Sequence, residues 1–171
     1  NWVGAFSGMV ISLDDLGQIR LFDDPGFEGN IELISNKNSW NDEWYHIAFT
    51  VNDLDNIARI YINGVLDNQI YWNNGNSFTD ANSNMIFGKH IGESLYYYQG
   101  LMDDVKIWNR SLSQLEILES LFSTNYDDSS LIGHWSFNNP PDLELIDLSV
   151  NENHGTINGA TWSTNVPAPV F

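Results

Sequence analysis

Three groups of side chains in this sequence have the composition to do chemistry. The first is rich in oxygen. Asp103 and Asp104 open an apolar, strand-like run, and the segment Asp147-Leu148-Ser149-Val150-Asn151-Glu152-Asn153-His154-Gly155 alternates Asp and Asn along a loop. Calcium needs six to eight oxygens from carboxylates, amide side chains and backbone carbonyls, and a polar loop beside a strand-end carboxylate supplies them. Alternation places Asp103 on the face of Val105 and Ile107, and a carboxylate on a core-facing side needs a partner. With so few lysines, a cation is the natural one. The second group is aromatic: Tyr71, Trp72, Asn73, Asn74 and Asn76 in one stretch, and Tyr96, Tyr97 and Tyr98 in another. Sugars are held by aromatic faces stacked on C–H patches, with Asn, Asp and backbone groups bonding the hydroxyls. The plain alternative is core packing, because alternation turns Tyr97 away from Tyr96 and Tyr98, so at least one of the three points inward. Trp44, Trp108 and Trp135 read as core. The third group, His46, His90, His134 and His154, is scattered and forms no zinc spacing. Serine-nucleophile, phosphate-loop and dinucleotide motifs are absent.

The elements that must position these groups are short strands. Apolar residues recur with period two between Gly, Asn and Asp punctuation. Met9 to Leu13 leads through Asp14-Asp15-Leu16-Gly17 into Gln18 to Phe22. Trp44 to Val51 is apolar on both faces and reads as a central strand. Ile57 to Ile62 ends at Asn63-Gly64, the strongest hairpin signal in the chain, and Val65 to Tyr71 returns. Trp72 to Asn84 reads as a surface loop, Met85 to Gly88 as a short strand and Leu101 to Asn109 as a longer one. The one helix is expected near residues 114–122, where Ser113-x-x-Glu116 offers a capping box and Leu115, Leu118, Leu121 and Phe122 make an apolar face. A polar connector follows Thr124, then a strand-like run from Leu131 to Phe137, and residues 167–171 read as a Pro-rich exit. One short helix among many strands means an all-β fold, a two-sheet antiparallel sandwich.

Composition narrows the partners. Six basic and 23 acidic residues in 171 give a net charge of −17. Nucleic-acid binding relies on clustered Lys and Arg, so no nucleic-acid partner is expected. No apolar run approaches the roughly 20 residues of a membrane span, so no membrane insertion is expected either, and residue 1 begins no leader. The absence of cysteine excludes disulfides, thiolate metal sites and cysteine nucleophiles. Aromatics at 13% separate the chain from a disordered acidic tail.

Three segments together resemble the laminin G-like branch of the concanavalin A-like lectin/glucanase superfamily, a two-sheet jelly roll. Trp44-Tyr45-His46-Ile47-Ala48 is similar to its "W-x-H-(V/I)-A" strand, and Tyr61-Ile62-Asn63-Gly64 to its "Y-(V/I)-N-G" hairpin. Gly100-Leu101-Met102-Asp103-Asp104-Val105-Lys106-Ile107-Trp108-Asn109-Arg110-Ser111-Leu112-Ser113 is similar to the signature of its last strand and helix. The resemblance implies a secreted or cell-surface, extracellular module. It also implies a structural calcium, whose positions match Asp103, Asp147, Asn151 and Asn153, although Val150 and Glu152 stand where glycines are usual and make the loop less free to curl. Glucanases of this fold place an acid and a nucleophile close together on one strand. No such run exists here, and Asp103 and Asp104 point to opposite faces, so no enzyme is expected. The expected ligand is a glycan or a surface protein, at Tyr71, Trp72, Asn74, Tyr96 and Tyr98. The alternative is a structural spacer, one unit of a surface fibre with neighbouring domains of a larger chain as its partners.

The segment Leu131 to Phe137 and the Asp147 loop resemble the family's opening strand and loop, yet they come last. Residues 1–124 then form a sandwich lacking its usual first strands. Residues 125–171 either fold back to complete it or begin a second domain. Adjacency of the family's first and last strands favours fold-back.

Overall fold

The computed structural model describes residues 9–23, 31–73, 84–89, 97–122, 128–138 and 143–167. They form an all-β chain of antiparallel sheets with one short helix, and the chain divides into two compact units, Asn1–Gln99 and Gly100–Phe171.

In the first unit, β1 (Met9–Leu13), β2 (Ile19–Asp23) and β3 (Glu32–Ile34) form one sheet in that order. Asp14 closes the first turn, its Oδ1 accepting from the Leu16 and Gln18 N–H groups, both at 2.9 Å. β3 escapes the sequence reading because three residues show no alternation. β4 (Ile47–Asn52), β5 (Ile57–Ile62) and β6 (Val65–Tyr71) form the second sheet. Asn63 and Gly64 both take positive φ, 51° and 74°, as a tight hairpin of the primed type requires. The two sheets share a core: Leu21 and Leu33 of the first pack with Ala58 and Ile60 of the second, all four fully buried, with Phe49, Val51, Ile62, Ile70 and Trp72 around them. Side-chain bonds reinforce the packing. Asn68 Nδ2 donates to the Ile34 carbonyl at 2.8 Å, and Asp67 Oδ2 accepts from the Asn36 N–H at 2.6 Å. The strand expected at Met85 to Gly88 does not form; the segment makes one isolated bridge, Lys89 to Tyr97.

In the second unit, β7 (Val105–Trp108) pairs antiparallel with β8 (Leu131–Trp135), and β9 (Glu144–Leu145) with β10 (Gly155–Thr156). The signature strand and the tail strand thus lie side by side. β7 starts four residues later than the expected Leu101, because Asp104 takes φ of 50° and interrupts the extended run. The alternation argument for Asp103 therefore does not reach it. Between β7 and β8 sits α1 (Gln114–Ser120), whose capping box forms as expected: Ser113 Oγ accepts from the Glu116 N–H, and Glu116 accepts from the Ser113 N–H. Its buried contact is Ile117; Leu115 and Phe122 of the expected apolar face are exposed. Among the described residues no helix is long and apolar enough to cross a membrane.

Candidate functional site

The Asp147 loop is densely hydrogen-bonded. Asp147 is 3% exposed, and its carboxylate accepts four hydrogen bonds: from the His134 N–H (2.7 Å), the Ser149 N–H (2.9 Å), the Ser149 hydroxyl (2.8 Å) and the Asn153 N–H (2.8 Å). Burial pushes its pKa up, but these bonds outweigh burial and hold it below the ordinary carboxylate value. Asn151 Nδ2 donates to the Leu131 carbonyl at 3.1 Å, and Asn153 Nδ2 to the Ile132 carbonyl at 2.8 Å. Glu152 takes φ of 51°, so the loop curls at that position on a residue that carries a side chain.

The structure brings Asp147, Asn151 and Asn153 into one loop and leaves Asp103 outside it. In the sheet, Val105 pairs with Trp135, and Trp135 bridges to Asp147 on its other side, so β8 stands between β7 and the loop. Asp103 is half-buried and accepts from the Asp104 N–H at 3.0 Å. Its pKa is raised, first by burial and then by the charge of Asp104. The donor set around Asp147 does not fit calcium: the ion collects lone pairs, whereas N–H and O–H groups converge here. Among the described residues no group of three or more His, Asp or Glu side chains could hold a metal.

Asp104 is committed differently. Its Oδ2 accepts from Lys106 Nζ at 2.8 Å, and its Oδ1 lies 2.6 Å from Nε2 of the buried His134. Burial raises its pKa, but the bonds from His134 and Lys106 prevail and hold it at about 2. Lys106 also donates to the Ser120 carbonyl, which ties β7 to the end of α1. Beside this network lies a cavity of about 200 Å³ walled by Lys106, Trp108, Arg110, Glu116 and Asp128. Arg110 in turn pairs with Glu116 at 2.7 Å and Asp128 at 3.6 Å. Glu119 lines the cavity as well, so two cations face three carboxylates there.

The aromatic candidates lie in the first unit. Tyr71, at the end of β6, is 69% exposed, whereas Trp72 turns the other way and packs against the core. Tyr97 and Tyr98 are both exposed, at 59% and 49%, with Lys89 Nζ 5.5 Å from the Tyr97 ring centroid. Asn74, Asn76 and Tyr96 lie outside the described residues. Sequence reasoning missed a further aromatic pair. Trp40 and Tyr45 meet edge to face at 4.9 Å with Lys37 over both rings, and no periodicity links residues five apart in a loop. Trp40 Nε1 donates to the Gly17 carbonyl, which fixes its ring to the first hairpin.

Comparison with known proteins extends this description. A laminin G-like family model, described as the concanavalin A-like lectin/glucanases superfamily, matches residues 3–118. No curated protein matches. A crystal structure from Bacteroides ovatus ATCC 8483, named a "putative carbohydrate binding protein", is similar at a TM-score of 0.69 and 17% identity, over 95% of this chain and 50% of that one. An S-layer domain-containing protein from Clostridium thermocellum ATCC 27405 (residues 221–444) is 24% identical over 68% of this chain and 57% of that one, with a TM-score of 0.39. The chain spans about half the length of these solved structures. The family match ends before β8, and the likeness to the Bacteroides ovatus structure covers 95% of the chain.

Proposed function

The chain belongs to the laminin G-like family of the concanavalin A-like lectin/glucanases superfamily, and from that premise we propose that it is a non-catalytic, extracellular carbohydrate-binding module. The observation that carries the reading is the exposure of three tyrosine rings, Tyr71, Tyr97 and Tyr98, on the first unit. An exposed tyrosine presents an apolar ring and a hydroxyl, the combination a sugar ring accepts. The name of the Bacteroides ovatus protein supports the same ligand class. Support for a non-catalytic role comes from Asp104. A retaining glycosidase needs one carboxylic acid and one free carboxylate about 5–5.5 Å apart, and both oxygens of Asp104 are already engaged by Lys106 and His134. In this reading residues 125–171 complete the domain begun by residues 1–124; β8 pairs with β7 within the second unit.

A glycan array run in EDTA and again in calcium tests the proposal. Retention of a polysaccharide, lost in Tyr71→Ala or in the Tyr97→Ala/Tyr98→Ala double variant without a change in thermal unfolding, is the expected result. Retention unchanged in both variants, or turnover of the glycan, overturns it. A second reading, a structural unit that contacts protein, is favoured by Met9, Ile11 and Leu13. All three are more than half exposed on β1, at the edge of its sheet. Concentration-dependent self-association abolished by Ile11→Lys would support it.

A further inference from the structure

We infer that residues 147–154 form a metal-independent clasp that caps the outer edge of β8, with the Asp147 carboxylate at its centre where a bound cation would otherwise organise the loop. The inference is independent of the glycan reading and rests on which atoms point inward. All four groups on the Asp147 oxygens are donors, two from the loop's Ser149, one from Asn153 and one from the β8 residue His134. A cation within 2.3–2.6 Å of those oxygens would meet the positive ends of these N–H and O–H dipoles.

The amide orientations agree. The β7–β8 register shifts between Ile107 and Trp108, so Ile132 has no partner in β7. Its carbonyl is satisfied by Asn153 Nδ2, and that of Leu131 by Asn151 Nδ2. A carbonyl accepts only from the NH2 end of an amide, so both Asn side chains must face β8 with their nitrogens and turn their oxygens away. The loop backbone adds the Leu148 N–H to the His134 carbonyl at 2.8 Å, and Trp135 Nε1 donates to the Asn153 carbonyl at 3.1 Å. His154 Nδ1 accepts from the Asp147 N–H at 3.1 Å. Asp147, Leu148, Asn151 and Asn153 thus do for β8 what a third strand would do: they occupy its edge and close it to another chain.

The test is thermal unfolding of the full chain in EDTA and in millimolar calcium, for the wild type, Asp147→Asn and Asn153→Ala. The wild type is expected to melt at the same temperature in both solutions. Each variant is expected to melt lower, by about 5–10 °C for Asp147→Asn, equally in both. A calcium-induced rise in the wild type that disappears in Asp147→Asn overturns the inference, as does an unchanged melting temperature of both variants in EDTA. A calcium-induced rise that persists in Asp147→Asn places the ion elsewhere and leaves the clasp metal-independent. If Asp147→Asn does not fold, the Asn153→Ala variant and the wild-type comparison still decide.

Discussion

The two compact units are held together by different physics. In residues 1–99 the centre is apolar: Leu21, Leu33, Ala58 and Ile60 meet between two three-stranded sheets with no exposure to solvent. Among the described residues of 100–171 the sheets have two strands each, and the buried set mixes Ile117, Leu131, Trp135 and Leu145 with His134, Asp147 and Ser149. Two short strands cannot bury enough apolar surface to hold themselves. The second unit substitutes charge-assisted hydrogen bonds, which are stronger than neutral ones and fix direction as well as distance. The acidity of the chain is therefore not only a solvated surface, because Asp147 gathers backbone N–H groups and Asp104 binds the Lys106 and His134 side chains in the unit whose described strands are short.

The comparison breaks first at Leu33. Deleting its side chain to Ala removes transfer energy and leaves a cavity where two sheets meet, at a cost of about 2–5 kcal/mol. Denaturant unfolding should register it as a lower midpoint. If residues 125–171 complete one domain, the whole chain moves in that single transition. Two resolved transitions, only one of them shifted, would sink the fold-back reading. Next in size is Gly133→Ala, in the middle of β8. A Cβ there would stand 2.3 Å from the Trp135 ring, which lies over the glycine. The ring must leave its place, at a cost of about 1–3 kcal/mol, and Trp fluorescence should shift to the red along with the lower midpoint. An unshifted spectrum would mean that Trp135 is not seated on β8.

What was legible in the sequence follows the same division. In the first unit β1, β2, β4, β5 and β6 were read to within a few residues because a sheet with one buried face writes period two into its sequence, whereas three-residue β3 was missed and Met85 to Gly88 was read as a strand that does not form. The Asn63-Gly64 turn and the Ser113 capping box were equally plain, since each depends on residues within reach of one another. Asp147, Asn151 and Asn153 were found as a group, but not their use. Sequence shows that a loop is rich in oxygen, and it does not show whether lone pairs or N–H groups face inward. That depends on the bulge in β8 that leaves the Ile132 carbonyl to be satisfied, a feature set by pairing between segments some 25 residues apart. Trp72, expected on the ligand surface, packs against the core for a related reason: it sits one residue beyond β6 and continues the inward face of that strand. Asp103 lost its predicted face because one positive φ at Asp104 ends the alternation.

A smaller effect tests the electrostatic side of the comparison. The Asp104 pKa falls from 3.8 to about 2 in the folded chain. The unfolded chain therefore binds the proton more readily between those values, and stability rises with pH across that window. The contribution is fully present above about pH 4 and is lost as pH falls through about 2. Asp104→Asn should destabilise at pH 6 by about 1 kcal/mol, half-exposed pairs being screened by solvent, and the difference from wild type should shrink as pH approaches 2. A difference that stays constant across that range would show that the pair is not what Asp104 contributes.

The smallest effect has the opposite sign and asks how well the clasp is built. Glu152 holds φ of 51°, a conformation costing a side-chain-bearing residue about 1–2 kcal/mol and glycine almost nothing. Glu152 is exposed, and the one bond its backbone N–H makes, to the Ser149 carbonyl at 3.5 Å, survives any substitution that keeps the N–H. Glu152→Gly therefore removes strain without removing a partner, while glycine's greater freedom in the unfolded chain offsets part of the gain. The net expectation is a stabilisation of about 0.5 kcal/mol, read as a slightly higher midpoint in urea. A lower midpoint would mean that the loop does not hold this curl in solution, and the donor-centred arrangement at Asp147, which depends on the curl to bring the Asn153 N–H onto the carboxylate, would fall with it.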